Sequence, residues 1–312
     1  METSQATPLF PPDPDYTPYT AESFRVAMGL FPLDLKDWIE PDPKMVLELA
    51  EKERLLRERY DEVFIVQPEA YAGSQEVLDL LAAHLPARFP SVYHRAGDVL
   101  ENAVTGQCWN LAASDLHPLD LAGRLVQEDL CMMKKDPDTD SYRLVGASLC
   151  FPTRWSLAEK MGLPLGMIHQ PTAGYKEHLD STMDRFFARM KIDKPVWRLN
   201  WGIVDDPTLF QSSGHSQGGF RSDITAENAG EKLWLRVERQ TLRRLPRSQD
   251  ILFTIRVYVK PLTHLLAQPE RAAAMARALR GMPDSWLLYK SLSAFLDALL
   301  GWLERVAVEA RS

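Results

Sequence analysis

Cysteine is scarce in this chain. Cys108, Cys131 and Cys150 are the only three in 312 residues, and no two stand in a CxxC spacing. That excludes a zinc cluster, an iron–sulfur motif and a disulfide framework, and leaves buried reduced thiols as the expectation. No GxGxxG follows a strand-like run and no βαβ rhythm appears, which speaks against a dinucleotide-binding sheet. HExxH and GxSxG are missing too, and the run SSGHSQGGF lacks the Lys-Ser/Thr ending of a phosphate cradle. Long apolar runs are absent: the stretch Ala294–Trp302 is broken by Asp297, so no membrane span is expected. The opening METSQATPLFPPDPDYTPYT has neither an apolar signal core nor a basic leader, and a cytoplasmic protein is expected. Basic residues are outnumbered, 36 against 43 acidic ones for a net charge of -7, which argues against broad nucleic-acid binding. A local basic run, Arg236–Arg247, leaves an anion such as a phosphate, carboxylate or propionate as a partner.

What is present has the composition of a globular protein, long enough for one large domain or two small ones. Residues 1–22 are rich in Pro and Thr and read as an extended arm. Residues 23–268 form the main domain, and 269–312 read as C-terminal helices, Pro269–Leu279 and then Ser285–Val308. Helical spacing predicts a helix over Lys44–Tyr60 and a second from a Ser74 cap to Leu85, stopping before Pro86. A short helix at Leu157–Met161 is closed by Gly162, and a longer one spans about Tyr175–Met190. Tyr142–Phe151 and Pro195–Val204 read as strands. Helices at the ends and strands in the middle favour an α+β fold with an antiparallel sheet.

The segment Leu233–Lys260 reads as two strands joined by a polar turn. Ile251, Phe253, Ile255, Val257 and Val259 alternate with Leu252, Thr254, Arg256, Tyr258 and Lys260, the pattern of a strand with one buried face. In the preceding strand Leu233, Leu235 and Val237 share a face with Arg239, while Trp234, Arg236, Glu238 and Gln240 share the other. A guanidinium in register with an apolar stripe is costly to bury unless something pairs with it. The fault reads either as a functional position or as the strand reaching its polar end, as Arg243 and Arg244 suggest.

His169 is the most suggestive histidine. It sits in MGLPLGMIHQP, an apolar link stiffened by Pro164 and Pro171. Such a setting suits an axial metal ligand beside an apolar wall; the alternative is a core or turn histidine held by one hydrogen bond. His178, on the helix that follows, is the second candidate ligand.

The segments VQEDLCMM, YRLVGASLCFPTRWSLAEKMGLPLGMIHQP, VWRLNWGIV and LWLRVERQTLRRLP–SQDILFTIRVYV together resemble the haem-binding alpha subunit of haem-dependent oxidative N-demethylase and its relatives, over about residues 25–265. The resemblance implies a PAS-like antiparallel sheet flanked by helices, with helical N- and C-terminal extensions, holding haem b. It implies oxidative demethylation of a small alkylamine such as dimethylamine, using O2 and releasing formaldehyde. Electrons would come from NADPH through FMN and an iron–sulfur cluster on a separate reductase subunit. His169 takes the place of the haem-ligating histidine, with Arg198 and Tyr175 as further cofactor-binding residues. Arg239, where strand phase turns it into the pocket, would stabilise charge developing on oxygen. Glu238 would hold an alkylammonium by a charge-assisted hydrogen bond, and Arg236 ranks third. Adjacent strand residues point to opposite faces, so Glu238 and Arg239 share one flat pocket only across a bulge. The alternative function is a PAS-like haem or small-ligand sensor without monooxygenase activity.

Overall fold

This computed structural model describes residues 9–11, 14–20, 28–139, 141–168, 180–214, 219 and 221–309. The strands are β1 (Phe31–Pro32), β2 (Phe64–Val66), β3 (Tyr93–Ala96), β4 (Val99–Asn102), β5 (Gln107–Asn110), β6 (Asp129–Lys135), β7 (Tyr142–Ser148), β8 (Val196–Val204), β9 (Trp234–Arg244) and β10 (Ile251–Pro261). The longer helices are α1 (Met45–Glu58), α2 (Tyr71–Arg88), α3 (Pro118–Leu125), α4 (Asp180–Arg189), α5 (Pro269–Arg280), α6 (Asp284–Tyr289) and α7 (Leu296–Glu309). Among the described residues, seven strands pair in the order β1-β8-β9-β10-β6-β7-β2, antiparallel throughout, and β3-β4-β5 make a small second sheet. The α+β expectation holds. No described helix is long and apolar enough to cross a membrane.

Both faces of the central strands are covered, which corrects the expectation of one buried face. Ile251, Ile255 and Val257 are buried, and so are Leu252, Thr254, Arg256 and Tyr258 on the other side. The second face carries Arg239, Arg243 and Arg256, and the chain around residues 37–48 lies against it. Arg256 there meets Asp42 at 2.8 Å and Glu48 at 2.7 Å, and the Arg243 guanidinium stacks over Trp38 at 4.3 Å. Charges on a buried face are tolerated because the covering segment brings the opposite charges and a ring.

The apolar side chains form two cores. One gathers α1, α2, α3, β6 and β7 around Leu81, Leu85, Leu130 and Val145; the other gathers Leu235, Val237 and Ile203 beneath α5 and α7. Each fully buried Leu, Val or Ile side chain contributes roughly 1.5–3 kcal/mol. Gly230 seats Trp302 of α7, since a Cβ there would stand 2.4 Å from the indole.

Local expectations fail in instructive places. α2 runs through Pro86 to Arg88. The carbonyl that Pro86 strands four residues back, Ala82 O, accepts instead from Arg95 Nη1 at 3.2 Å, which offsets the lost bond. Ser74 is no cap; its Oγ donates to Ala70 O at 2.8 Å inside that helix. The single C-terminal helix expected over 285–308 is two, α6 and α7, parted by a turn in which Ser291 takes a φ of 57°. Cys131 and Cys150 are buried thiols, but Cys108 is exposed.

Candidate functional site

β9 pairs with β8 and β10 in unbroken register. Alternation therefore holds along its whole length, and Glu238 and Arg239 are sent to opposite faces. Arg239 turns to the covered side. Its Nε stands 3.0 Å from Glu40 Oε1, and its other nitrogens donate to Asp37 O and Trp38 O. Tyr16 and Tyr258 hydroxyls each donate to Glu40 at 2.7 Å. The expectation that Arg239 turns toward oxygen in the pocket gives way to a buried ion pair, on the face of the sheet opposite Glu238.

Arg236 shares a face with Glu238 but is consumed differently. It donates to Thr153 Oγ1 and to four carbonyls, those of Phe151, Pro152, Thr208 and Leu209, at 2.8–3.3 Å. Arg244, further along, donates to Met190 O, Gln249 O, Phe187 O and the Tyr142 hydroxyl. The run Arg236–Arg247 is thus largely internal carpentry and not a surface patch for an anion.

Glu238 is the centre of what remains. Thr153 Oγ1 donates to its Oε1, and Asn200 Nδ2 and Gln240 Nε2 donate to its Oε2 at 3.2 and 2.7 Å. Cross-strand register puts Asn200 opposite Glu238 and Arg198 opposite Gln240, so Arg198 lies on this face as well. Its Nε is buried without a hydrogen-bond partner. Burial lowers the Arg198 pKa, opposed by Glu238 and Tyr289. Lys290, from the turn after α6, donates to Asn200 Oδ1 at 3.1 Å and Trp201 O at 2.6 Å. Burial pushes its ammonium down to about 8; Glu238 opposes that shift and Arg198 adds to it. Val257 and Ile255 lie opposite Glu238 and Gln240 on β10 and supply apolar surface on the same face.

Thr153 is aimed at Glu238 by a strained turn. Arg154 takes a φ of 59°, a conformation that costs a non-glycine residue about 1 kcal/mol or more. The turn is held by Arg154 on Asp205 at 2.6 Å and by Arg236 on the carbonyls before it.

His169, Tyr175 and His178 lie outside the described residues. Before them lies the short helix Leu165–Ile168, where Ile168 O accepts from Lys160 Nζ at 2.7 Å. After them lies α4, which Arg244 ties to the face that carries Glu238. Of the other histidines, His117 caps α3 by accepting from Leu119 N at 3.2 Å. His84 packs edge-on to Trp38 and Phe89.

A family model described as haem-dependent oxidative N-demethylase, alpha subunit-like, matches residues 29–300. The chain belongs to that family. The description speaks of haem dependence and of an alpha subunit, hence of an enzyme with more than one subunit. The Glu238 face offers cations to the carboxylates of such a group. The orphaned Nε of Arg198 lacks an acceptor. Arg198 and Lys290 together also outnumber the single carboxylate between them. One propionate of a haem would supply the missing acceptor and balance the excess charge.

Sequence reasoning missed Asn200, Thr153, Gln240 and Lys290. Asn200 and Gln240 were legible in principle, as polar residues in phase with Glu238 and Arg198 on paired strands. Thr153 and Lys290 reach the site from distant turns, and no spacing signals them.

Proposed function

We propose that this chain is the haem-binding catalytic subunit of an oxidative N-demethylase acting on a small alkylamine, dimethylamine-like in size, with release of formaldehyde. One observation carries the amine half of this reading. An ionised carboxylate offers about four acceptor sites, and Thr153, Asn200 and Gln240 occupy three on Glu238. The remaining site suits one N–H of a protonated amine, in a charge-assisted hydrogen bond. The apolar wall of Ile255 and Val257 suits its methyl groups. Size discrimination would come from that wall, and charge discrimination from Glu238.

His169 would hold the haem iron, and Arg198 and Tyr175 would hold the porphyrin carboxylates. Bound haem would supply the activation of O2 and the oxidation of an N-methyl carbon. The chain's own residues bind and orient. Glu238 fixes the nitrogen, Asn200 and Gln240 fix Glu238, and Arg236 holds the loops that present Thr153. Arg239 serves the fold on the opposite face. The strand order β8-β9-β10-β6-β7, with a helical insert between β7 and β8, supports a PAS-like core. Electrons would arrive from a separate reductase subunit carrying FMN, an iron–sulfur cluster and an NADPH site. A cytoplasmic location belongs to the same proposal.

The test uses the purified full chain with haem supplied. A Soret band that shifts in the ferrous–CO form, with oxygen uptake and formaldehyde release dependent on dimethylamine and a surrogate reductant, is the expected result. A haem-loaded chain that consumes no oxygen with dimethylamine or its close homologues would overturn the demethylase reading.

A further inference from the structure

Lys290 reaches the Glu238 network from the C-terminal helical layer, and it does so through Asn200. Its Nζ donates to Asn200 Oδ1, and Asn200 Nδ2 donates to Glu238 Oε2. The two ends of an Asn amide have opposite hydrogen-bonding character, and an ammonium can only donate. The amide is thereby locked in one sense. Flipping it would set its NH2 against the ammonium and its oxygen against the carboxylate, unfavourable at both ends. The polarity of the network therefore fixes the orientation of the amide.

We propose that Lys290 is a positioning residue for Glu238, acting through Asn200, so that the C-terminal helices complete the amine site. This rests on the reading of Glu238 as the amine acceptor. The groups that face Lys290 are Asn200, the Trp201 carbonyl and Arg198 on β8, Glu238 on β9, and Trp286 on α6. The Trp286 ring lies 6.0 Å from Nζ. Burial brings the Lys290 ammonium down to about 8, with Glu238 opposing and Arg198 reinforcing the shift. It is charged at neutral pH and loses a proton in mildly alkaline solution. A neutral amine can accept as well as donate, and the lock on Asn200 then loosens.

The test is a pH titration of full chain labelled with 13C at glutamate carboxyls, the Glu238 resonance being assigned by its loss in Glu238→Gln. In the native chain that resonance should show an inflection near pH 8. Lys290→Arg, always charged and still a donor, should keep the neutral-pH resonance position and lose the inflection. Lys290→Met should lose the inflection and shift the resonance even at neutral pH. An inflection that survives in both variants, or a Lys290→Met resonance at the native position, would overturn the proposal. Dimethylamine-dependent oxygen uptake, recorded in parallel, separates the two readings. Uptake with an unmoved resonance in Lys290→Met removes Lys290 alone. The expected NMR pattern without uptake supports the Lys290 contact and removes the demethylase reading.

Discussion

Glu238 and Arg239 are consecutive in β9 and bind partners on opposite sides of the sheet: Glu238 is held by Asn200 and Gln240, and Arg239 by Glu40 at 3.0 Å. One peptide unit thus joins the proposed amine acceptor to a structural ion pair. The first prediction follows. Glu238→Gln loses the charge and one acceptor, so dimethylamine affinity should fall about ten- to a hundredfold, the usual worth of a charge-assisted hydrogen bond, and the urea midpoint should fall with it, because the new NH2 cannot accept from the donors on that oxygen. Arg239→Met should lower stability by about 2 kcal/mol through the partner it leaves unpaired while sparing affinity. Steady-state kinetics and urea unfolding on the two variants check both halves.

Arg256 is buried between Asp42 and Glu48. Arg256→Met should destabilise the protein by about 3–5 kcal/mol, because it strands carboxylates that are out of water. Burial already holds Glu48 above the usual glutamate range, with Arg256 the chief opposing influence. Removing Arg256 drives it further up. A carboxyl whose native pKa is raised contributes stability that is complete below its unfolded value and is lost as pH rises through its native value. The variant should therefore regain stability on mild acidification, which urea midpoints between pH 7 and 5 will show.

His84 behaves in the opposite sense. Burial first, then Arg243 and Arg88, push its pKa down from 6.5 to about 4. The native state binds fewer protons there than the unfolded chain, so its contribution is complete above 6.5 and is lost as pH falls toward 4. His84→Phe should flatten the acid limb of stability over that window, measured by thermal unfolding at stepped pH.

The haem assignment has its own test. His169→Ala should abolish the Soret band of the reconstituted chain, and His178→Ala should retain it. If the band survives in the first and vanishes in the second, His178 is the ligand.

Much of the frame was legible from residue patterns. β8, β9 and β10 follow from alternation, and α1 and α5 from helical spacing. β6 was not, because DLCMMKK is buried on both faces and shows no period of two. The small β3-β4-β5 sheet escaped because its strands are only four residues each and mostly polar. At the site, Glu238 and Arg198 were named from the sequence, and the structure sets them on one face. Arg239 was ranked first because its phase was read correctly but the nature of its face was not. A sequence shows that a charge interrupts an apolar stripe; it does not show that Glu40, some two hundred residues earlier, waits there to meet it.

Arg236 joins two separate loops by one planar group, gripping Phe151 and Pro152 on one side and Thr208 and Leu209 on the other. Freeing either loop would leave a guanidinium out of water with half its acceptors gone. The rim beside Glu238 should accordingly open as a single cooperative unit, and amide hydrogens around 151–154 and 208–211 should exchange with deuterium at a common rate. A visitor to the carboxylate would then find the doorway wholly shut or wholly open.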